Sequence, residues 1–207
     1  DVKVDSKDTW KNKFILTFDL DWADDNVIGF TNDILKKIDK KATIFVTHNT
    51  KYLDIFKNNN KIEFGIHPNF NLCFDSRKYS VESVLKKNIE IVPKAVISRS
   101  HSLTTSGRWL DIYKLNGIKY LSNYMMEWQQ NISPFYHINN LIEVPIFFAD
   151  DGLIYNEKID NSVIENVIRK SIKISDSLKV FNFHPIHLYL NTPSQNYYID
   201  NKNVKKI

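Results

Sequence analysis

One cysteine, five glycines and no apolar run of membrane length set the first limits on this chain of 207 residues. With Cys73 alone no intrachain disulfide can form, so oxidative cross-links do not hold the fold, and Cys73 reads as a buried or incidental thiol. So few glycines leave little room for a phosphate-cradling loop. Neither a Gly-rich nucleotide motif nor a Gly-x-Ser-x-Gly turn occurs, which removes serine hydrolase chemistry of that kind. No stretch approaches the roughly 18 apolar residues of a membrane span, so none is expected. A large excess of one charge is also missing. The net charge of +4 comes largely from lysines such as Lys36, Lys37, Lys40 and Lys41 on a helix surface, and no nucleic-acid partner is expected. The sequence opens at Asp1 without an apolar leader. A cytoplasmic location is the expectation, one that a trimmed leader would change.

What is present fits one globular domain, with 43% apolar and 25% charged residues. KFILTFDLDW begins as a continuous apolar run, the pattern of a strand covered on both faces. Residues 24–40 read as a helix with Val27, Phe30, Ile34 and Ile38 on one stripe. ATIFVT, IEFGIH and AVIS read as further strands, with a short helix near Tyr52–Lys57 and another capped by Ser80. A helix over Gly107–Leu115 closes at Asn116-Gly117. KYLSNY reads as a fifth strand, LIEVPIFF as a sixth despite its proline, and KVFNF as the last. Between the last two, Ile159–Leu178 is a helix with Val163, Ile164, Val167, Ile168 and Ile172 on one face. The core is expected over about 13–190, with a polar surface tail at 191–207. This alternation predicts an α/β fold of parallel βαβ units in a single domain.

Polar groups with chemistry gather where these strands end. Asp19 and Asp21 close the first, His48 the second and His67 the third. Arg99 and His101 follow the fourth, and His184 and His187 follow the last. In a parallel barrel such C-terminal ends converge on one face, where catalytic residues collect. Asp19 and Asp21 are two apart on a strand, so their side chains point the same way. Two carboxylates that close repel, which is tolerable if one binds a cation and the other handles a proton. His67 beside Asp21 makes a credible ligand pair for zinc or a related divalent ion. Arg99 suits either orientation of a carboxylate or a structural ion pair. Either His184 or His187 suits a general acid, because imidazole titrates near working pH. His137 sits in a polar loop and gets no role. Trp22, Trp109 and Trp128 are placed either against a sugar ring or in packing.

At TFDLDW, KATIFVT, EFGIHPNF and HPIHLYLN the chain resembles the polysaccharide deacetylases of carbohydrate esterase family 4, most closely the WbmS-type branch associated with O-antigen gene clusters. The likeness runs from about Phe14 to Asn191. It implies a distorted, incomplete (β/α) barrel and hydrolysis of an N-acetyl group, or a related acyl group, on a sugar or polysaccharide. It also implies a divalent metal, zinc by expectation. Carried over, Asp19 matches the catalytic base, Asp21 the metal-binding carboxylate and His67 the first metal-binding imidazole. Arg99 matches the arginine bracing the base, and His184 the general acid. One departure stands out: Asn71 occupies the place of the second metal-binding His, four residues after the first. His101 is expected to supply the missing imidazole, with the Asn71 side-chain oxygen as the alternative ligand.

Two other readings compete. FDLDW also resembles the opening of haloacid dehalogenase-type phosphatases, with FVT and FFADD as imitations of their later motifs. Ala23 departs from that pattern, and His67, Arg99, His101, His184 and His187 would be left without work. The second is a carbohydrate-binding barrel without chemistry, which Asn71 favours.

Overall fold

The computed structural model describes residues 2–75, 78–156 and 158–202. The first half of the chain supplies β1 (Phe14–Asp19), α1 (Asp25–Ile38), β2 (Ala42–Val46), α2 (Tyr52–Lys57), β3 (Ile62–Ile66), α3 (Asn71–Asp75), α4 (Val81–Ile91) and β4 (Ile97–Ser98). The second half supplies α5 (Leu110–Leu115), β5 (Tyr120–Leu121), β6 (Phe135–Tyr136), β7 (Ile142–Glu143), β8 (Phe148–Ala149), α6 (Asp150–Asn156), α7 (Asn161–Lys173), β9 (Lys179–Phe183), α8 (Pro185–Leu190) and α9 (Gln195–Asn201). They form one sheet in the order β6-β7-β5-β4-β3-β2-β1-β9-β8. Every pair is parallel except β6 with β7.

Chain length forces this sheet to curl. β7 and β8 stand seven places apart in the strand order, which on a flat sheet is about 34 Å. Glu143 and Phe148 are five links apart, a reach of about 18 Å at most. Residues 144–147 therefore cross the open side of a curled sheet. The Val144 N–H bonds Leu121 O on one side, and the Phe147 N–H bonds Val180 O on the other, at 2.7 and 2.9 Å. The result is a curled, open half-barrel, in agreement with the incomplete barrel that the family resemblance implies.

The central strands are apolar runs because helices cover one face and side chains fill the other. Phe18, Ile44, Val46 and Ile66 pack with Leu35, Phe56, Leu85 and Tyr113 in the larger cluster. Phe147, Phe148, Val180 and Phe181 pack with Trp10 and Leu178 in the smaller one. Gly65 has a packing reason: a Cβ there would lie 2.6 Å from the Phe45 ring. That ring in turn lies under the Arg99 guanidinium, 4.3 Å from its centroid.

Several expectations change. LIEVPIFF is not one strand but β7 and β8 at opposite parts of the sheet, because Pro145 has no N–H to continue a ladder. KYLSNY keeps only Tyr120–Leu121 as strand. The buried face of α1 is Val27, Ile28, Thr31 and Leu35, while Phe30 and Ile38 stay exposed. On α7 the isoleucines 164, 168 and 172 are exposed as well. Periodicity identifies a helix correctly without saying which part of its apolar arc is covered. The expected polar tail carries α9, whose side-chain-capped start at Ser194 made it legible in principle; residues 203–207 lie outside the described residues. Among the described residues no helix is long and apolar enough to cross a membrane.

Candidate active site

β1 delivers Asp19 to the barrel end with 3% of its surface exposed, and the chain then leaves the strand. Asp21 and Trp22 are both left-handed, at φ 43° and 56°. The turn is held by the Trp22 N–H on Thr47 Oγ1 at 3.1 Å and the Ala23 N–H on Leu20 O at 2.8 Å. The two carboxylates thus converge through a strained turn, not through strand alternation as the spacing suggested. Left-handed non-glycine residues cost about 1–2 kcal/mol each and persist where surrounding contacts over-determine them.

Around Asp21 three donors meet. Asp21 Oδ1 lies 3.0 Å from His67 Nε2 and 3.2 Å from His101 Nδ1. The three donor atoms all fall within 4.8 Å of one another. His67 is buried, and its Nδ1 has no hydrogen-bond partner. Burial works against an ionised Asp21, but hydrogen bonds from His101 and His67 hold its carboxyl well below the usual range. His101 is raised in return, first by its bond to Asp21. Asn71 points elsewhere: its Oδ1 accepts from Thr104 Oγ1 at 2.9 Å, and its Nδ2 faces Ser102 Oγ at 3.4 Å. It braces the loop that carries His101.

Asp19 is held from two sides. Arg99 Nη1 donates to its Oδ1 at 3.0 Å, and Asn182 Nδ2 donates to its Oδ2 at 2.7 Å. Arg99 is itself fully buried, with Nη1 on Thr17 Oγ1 and Nε and Nη2 on Ser122. Burial pushes the Asp19 carboxyl up, yet the charges of Arg99, His67 and His184 outweigh it and the net shift is downward. His184 stands opposite, its Nε2 3.9 Å from Asp19 Oδ2 and 3.7 Å from Asp21 Oδ2. Its Nδ1 is 2.7 Å from Asp150 Oδ1, and its backbone N–H bonds Asp150 Oδ2 at 2.9 Å. Burial alone would lower His184, but Asp150 and the two further carboxylates push it up to about 10.

The structure therefore brings together Asp19, Asp21, His67, Arg99, His101 and His184. His187 stands beside them, edge-on to His184 at 5.7 Å between ring centroids, and burial pushes it down. His48 does not join; its Nδ1 bonds the neighbouring Thr47 hydroxyl at 2.8 Å. His137 pairs with Glu143 at 3.0 Å. Asp150 and Asn182 were missed by the sequence reading. FFADD is an acidic pair after an apolar run, the same strand-end signal that picked out Asp19, and it could have identified Asp150. Nothing local distinguishes Asn182 within KVFNF.

Two cavities share this centre. A cleft of about 820 Å³ is lined by Asp19, Asp21, Trp22, Asp151, Tyr155, His184 and Tyr198, among others. A smaller one of about 120 Å³ reaches past His67 and His101 to Leu103, Met125, Ile146 and Ala149. Of the three tryptophans considered above, Trp22 alone lines the cleft, 46% exposed and edge-on to His101 at 5.1 Å. Trp109 packs tilted against Phe70, and Trp128 packs against Phe147 and Phe148.

A half-barrel with acids and imidazoles at its strand ends is the architecture of the carbohydrate esterase deacetylases. The chain belongs to the WbmS-like polysaccharide deacetylase family, whose model matches residues 16–202. Among solved structures it is similar to WbmS of Bordetella bronchiseptica, described as a candidate polysaccharide deacetylase involved in O-antigen biosynthesis. That likeness has 29% identity and a TM-score of 0.86, covering 99% of this chain and 84% of that one. A carbohydrate esterase family 4 pseudoenzyme of Bacillus anthracis is 16% identical with a TM-score of 0.54, over 84% of this chain and 55% of that one. A family 4 esterase of Streptococcus mutans is 17% identical at the same TM-score, over 91% and 82%. These last two likenesses concern the fold alone. No curated protein matches the chain. Family membership leaves the phosphatase reading without support.

Proposed function

We propose that this chain hydrolyses the N-acetyl group, or a related short acyl group, of an amino sugar in a surface polysaccharide or its precursor. The observation that carries the reading is the meeting of Asp21 Oδ1 with His67 Nε2 and His101 Nδ1, with Asp19 and His184 beside them. One carboxylate and two imidazoles suit zinc or a similar divalent ion with positions left open. His67 Nε2 and His101 Nδ1 both face the same Asp21 oxygen, so the three donors can converge on one such ion. When bound, the ion supplies Lewis acidity to the acyl carbonyl and makes water a stronger acid.

The remaining chemistry falls to the chain. Arg99 and Asn182 keep Asp19 ionised and aimed, and each carboxylate oxygen still has a lone pair free. Asp19 takes a proton from water as the oxygen attacks the acyl carbon. His184, kept as an imidazolium by Asp150, gives its proton to the nitrogen as the C–N bond breaks. The products are a carboxylic acid and an amine. The small cavity, walled by Leu103, Met125, Ile146 and Ala149, suits the acyl methyl, and the wide cleft with Trp22 suits the sugar. The argument for an inactive barrel rests on Asn71; against it, His101 offers an imidazole beside Asp21 and His67. Family likeness to WbmS supports a surface polysaccharide as the substrate class.

The test is acetate release from N-acetylated oligosaccharides with and without zinc. Asp19→Asn should keep the ion and lower kcat by about 10²–10⁴. Release that survives both chelation and Asp19→Asn would remove the proposal.

A further inference from the structure

Glu143 on β7 is fully buried, yet it touches none of the reacting groups. A carboxylate sealed from water is costly unless donors surround it. Its donors are specific. Oε1 accepts the backbone N–H of Asn123 at 2.5 Å and of Tyr124 at 3.3 Å, and Oε2 meets His137 Nε2 at 3.0 Å. Asn123, 4% exposed, turns its Oδ1 to the Ser100 N–H and to Ser100 Oγ, both at 2.8 Å. Ser100 Oγ also lies 2.6 Å from Thr104 O. Ser100 and Thr104 bracket His101.

That bracketed turn is strained. Ser102 and Leu103 are consecutive left-handed residues at φ 56° and 52°, neither of them glycine. Such a pair relaxes unless contacts on both sides hold it. Asn71 holds one side through Thr104 and Ser102. The other side is held by Ser100, Asn123 and, behind them, Glu143 with His137.

We infer that Glu143 is a positioning residue, which acts through Asn123 and Ser100 to keep the strained His101 turn directed at Asp21 and His67. The inference rests on the metal reading of the preceding subsection. It gives work to a buried acid and to a histidine that the reaction leaves unused. Outer partners that orient ligand side chains typically change metal affinity 10–100-fold when altered.

The experiment is a Co(II) titration of metal-free, full-length protein, read from the visible absorption of the bound ion and by competition with a chelator. It compares wild type with Glu143→Gln, with His137→Ala, which removes the partner of Glu143 from a partly exposed position, and with Asn88→Ala. Asn88 is a buried polar residue of α4 away from the site, bonded to Val84 O. Glu143→Gln should weaken Co(II) binding by about tenfold or more and change the absorption envelope, and His137→Ala should do so by about threefold. Asn88→Ala should lower Tm and leave Kd within twofold of wild type. Folded Glu143→Gln that binds Co(II) within twofold of wild type overturns the inference while leaving the metal reading intact. If Glu143→Gln does not fold, an unchanged Kd in His137→Ala overturns it in the same way. Wild type that binds no Co(II) overturns the metal reading, and this inference with it.

Discussion

Asp150 grips His184 twice, through its ring Nδ1 at 2.7 Å and through its backbone N–H at 2.9 Å. The direction of the ring is thus fixed by one buried carboxylate, which is also the strongest of the three that hold its charge. In the metal-free protein His184 is pushed up to about 10 from 6.5. A raised folded pKa contributes stability that is complete below about pH 6.5 and is lost as pH rises through about 10. Asp150→Asn removes the largest upward influence. The His184 ring is expected to remain charged at pH 8 in the metal-free wild type and to lose its proton at lower pH in the variant, as read by nitrogen NMR. Denaturant unfolding at pH 6 and pH 9.5 should show a larger loss across that window in wild type than in Asp150→Asn.

Arg99 and Asp19 form a buried pair. Removing one partner leaves an uncompensated charge, at about 3–5 kcal/mol. Arg99→Met should therefore destabilise by an amount of that order in urea. Arg99→Met with Asp19→Asn should recover a good part of the loss, since no buried charge then lacks a partner. Equal destabilisation in the single and double variants would mean that packing on Phe45, not charge, is what Arg99 contributes.

Trp22 is half exposed at the cleft, beside His101. Titration with N-acetylglucosamine oligomers should quench its fluorescence, and Trp22→Phe should lose most of that signal. Trp22→Ala should raise KM about tenfold, equivalent to about 1.4 kcal/mol of stacking, with kcat changed far less. An unchanged KM would place the sugar elsewhere.

Much of this centre was legible because its residues end apolar runs. β1, β3, β4 and β9 are read from apolar stretches, and Asp19, His67, Arg99 and His184 follow from where those stretches stop. What stayed hidden depends on chain reversal and tertiary contact. The left-handed turn at Asp21 and Trp22 has no glycine to announce it. Pro145 divides one apolar run between distant strands, and only the curl of the sheet shows why. Asn182 and Glu143 look like ordinary strand residues until Asp19 and Asn123 are seen beside them. The directions of the His101 and Asn71 side chains, one toward Asp21 and the other toward Thr104, are likewise not encoded by spacing along the chain.

The most direct measurement is anomalous diffraction at the zinc edge from crystals grown with zinc. The account expects one strong peak between Asp21, His67 and His101, and its loss in His101→Ala. Absence of density there, or a peak lodged instead among Asp150, Asp151 and His184, whose donor atoms also lie within 4.8 Å of one another, would contradict it.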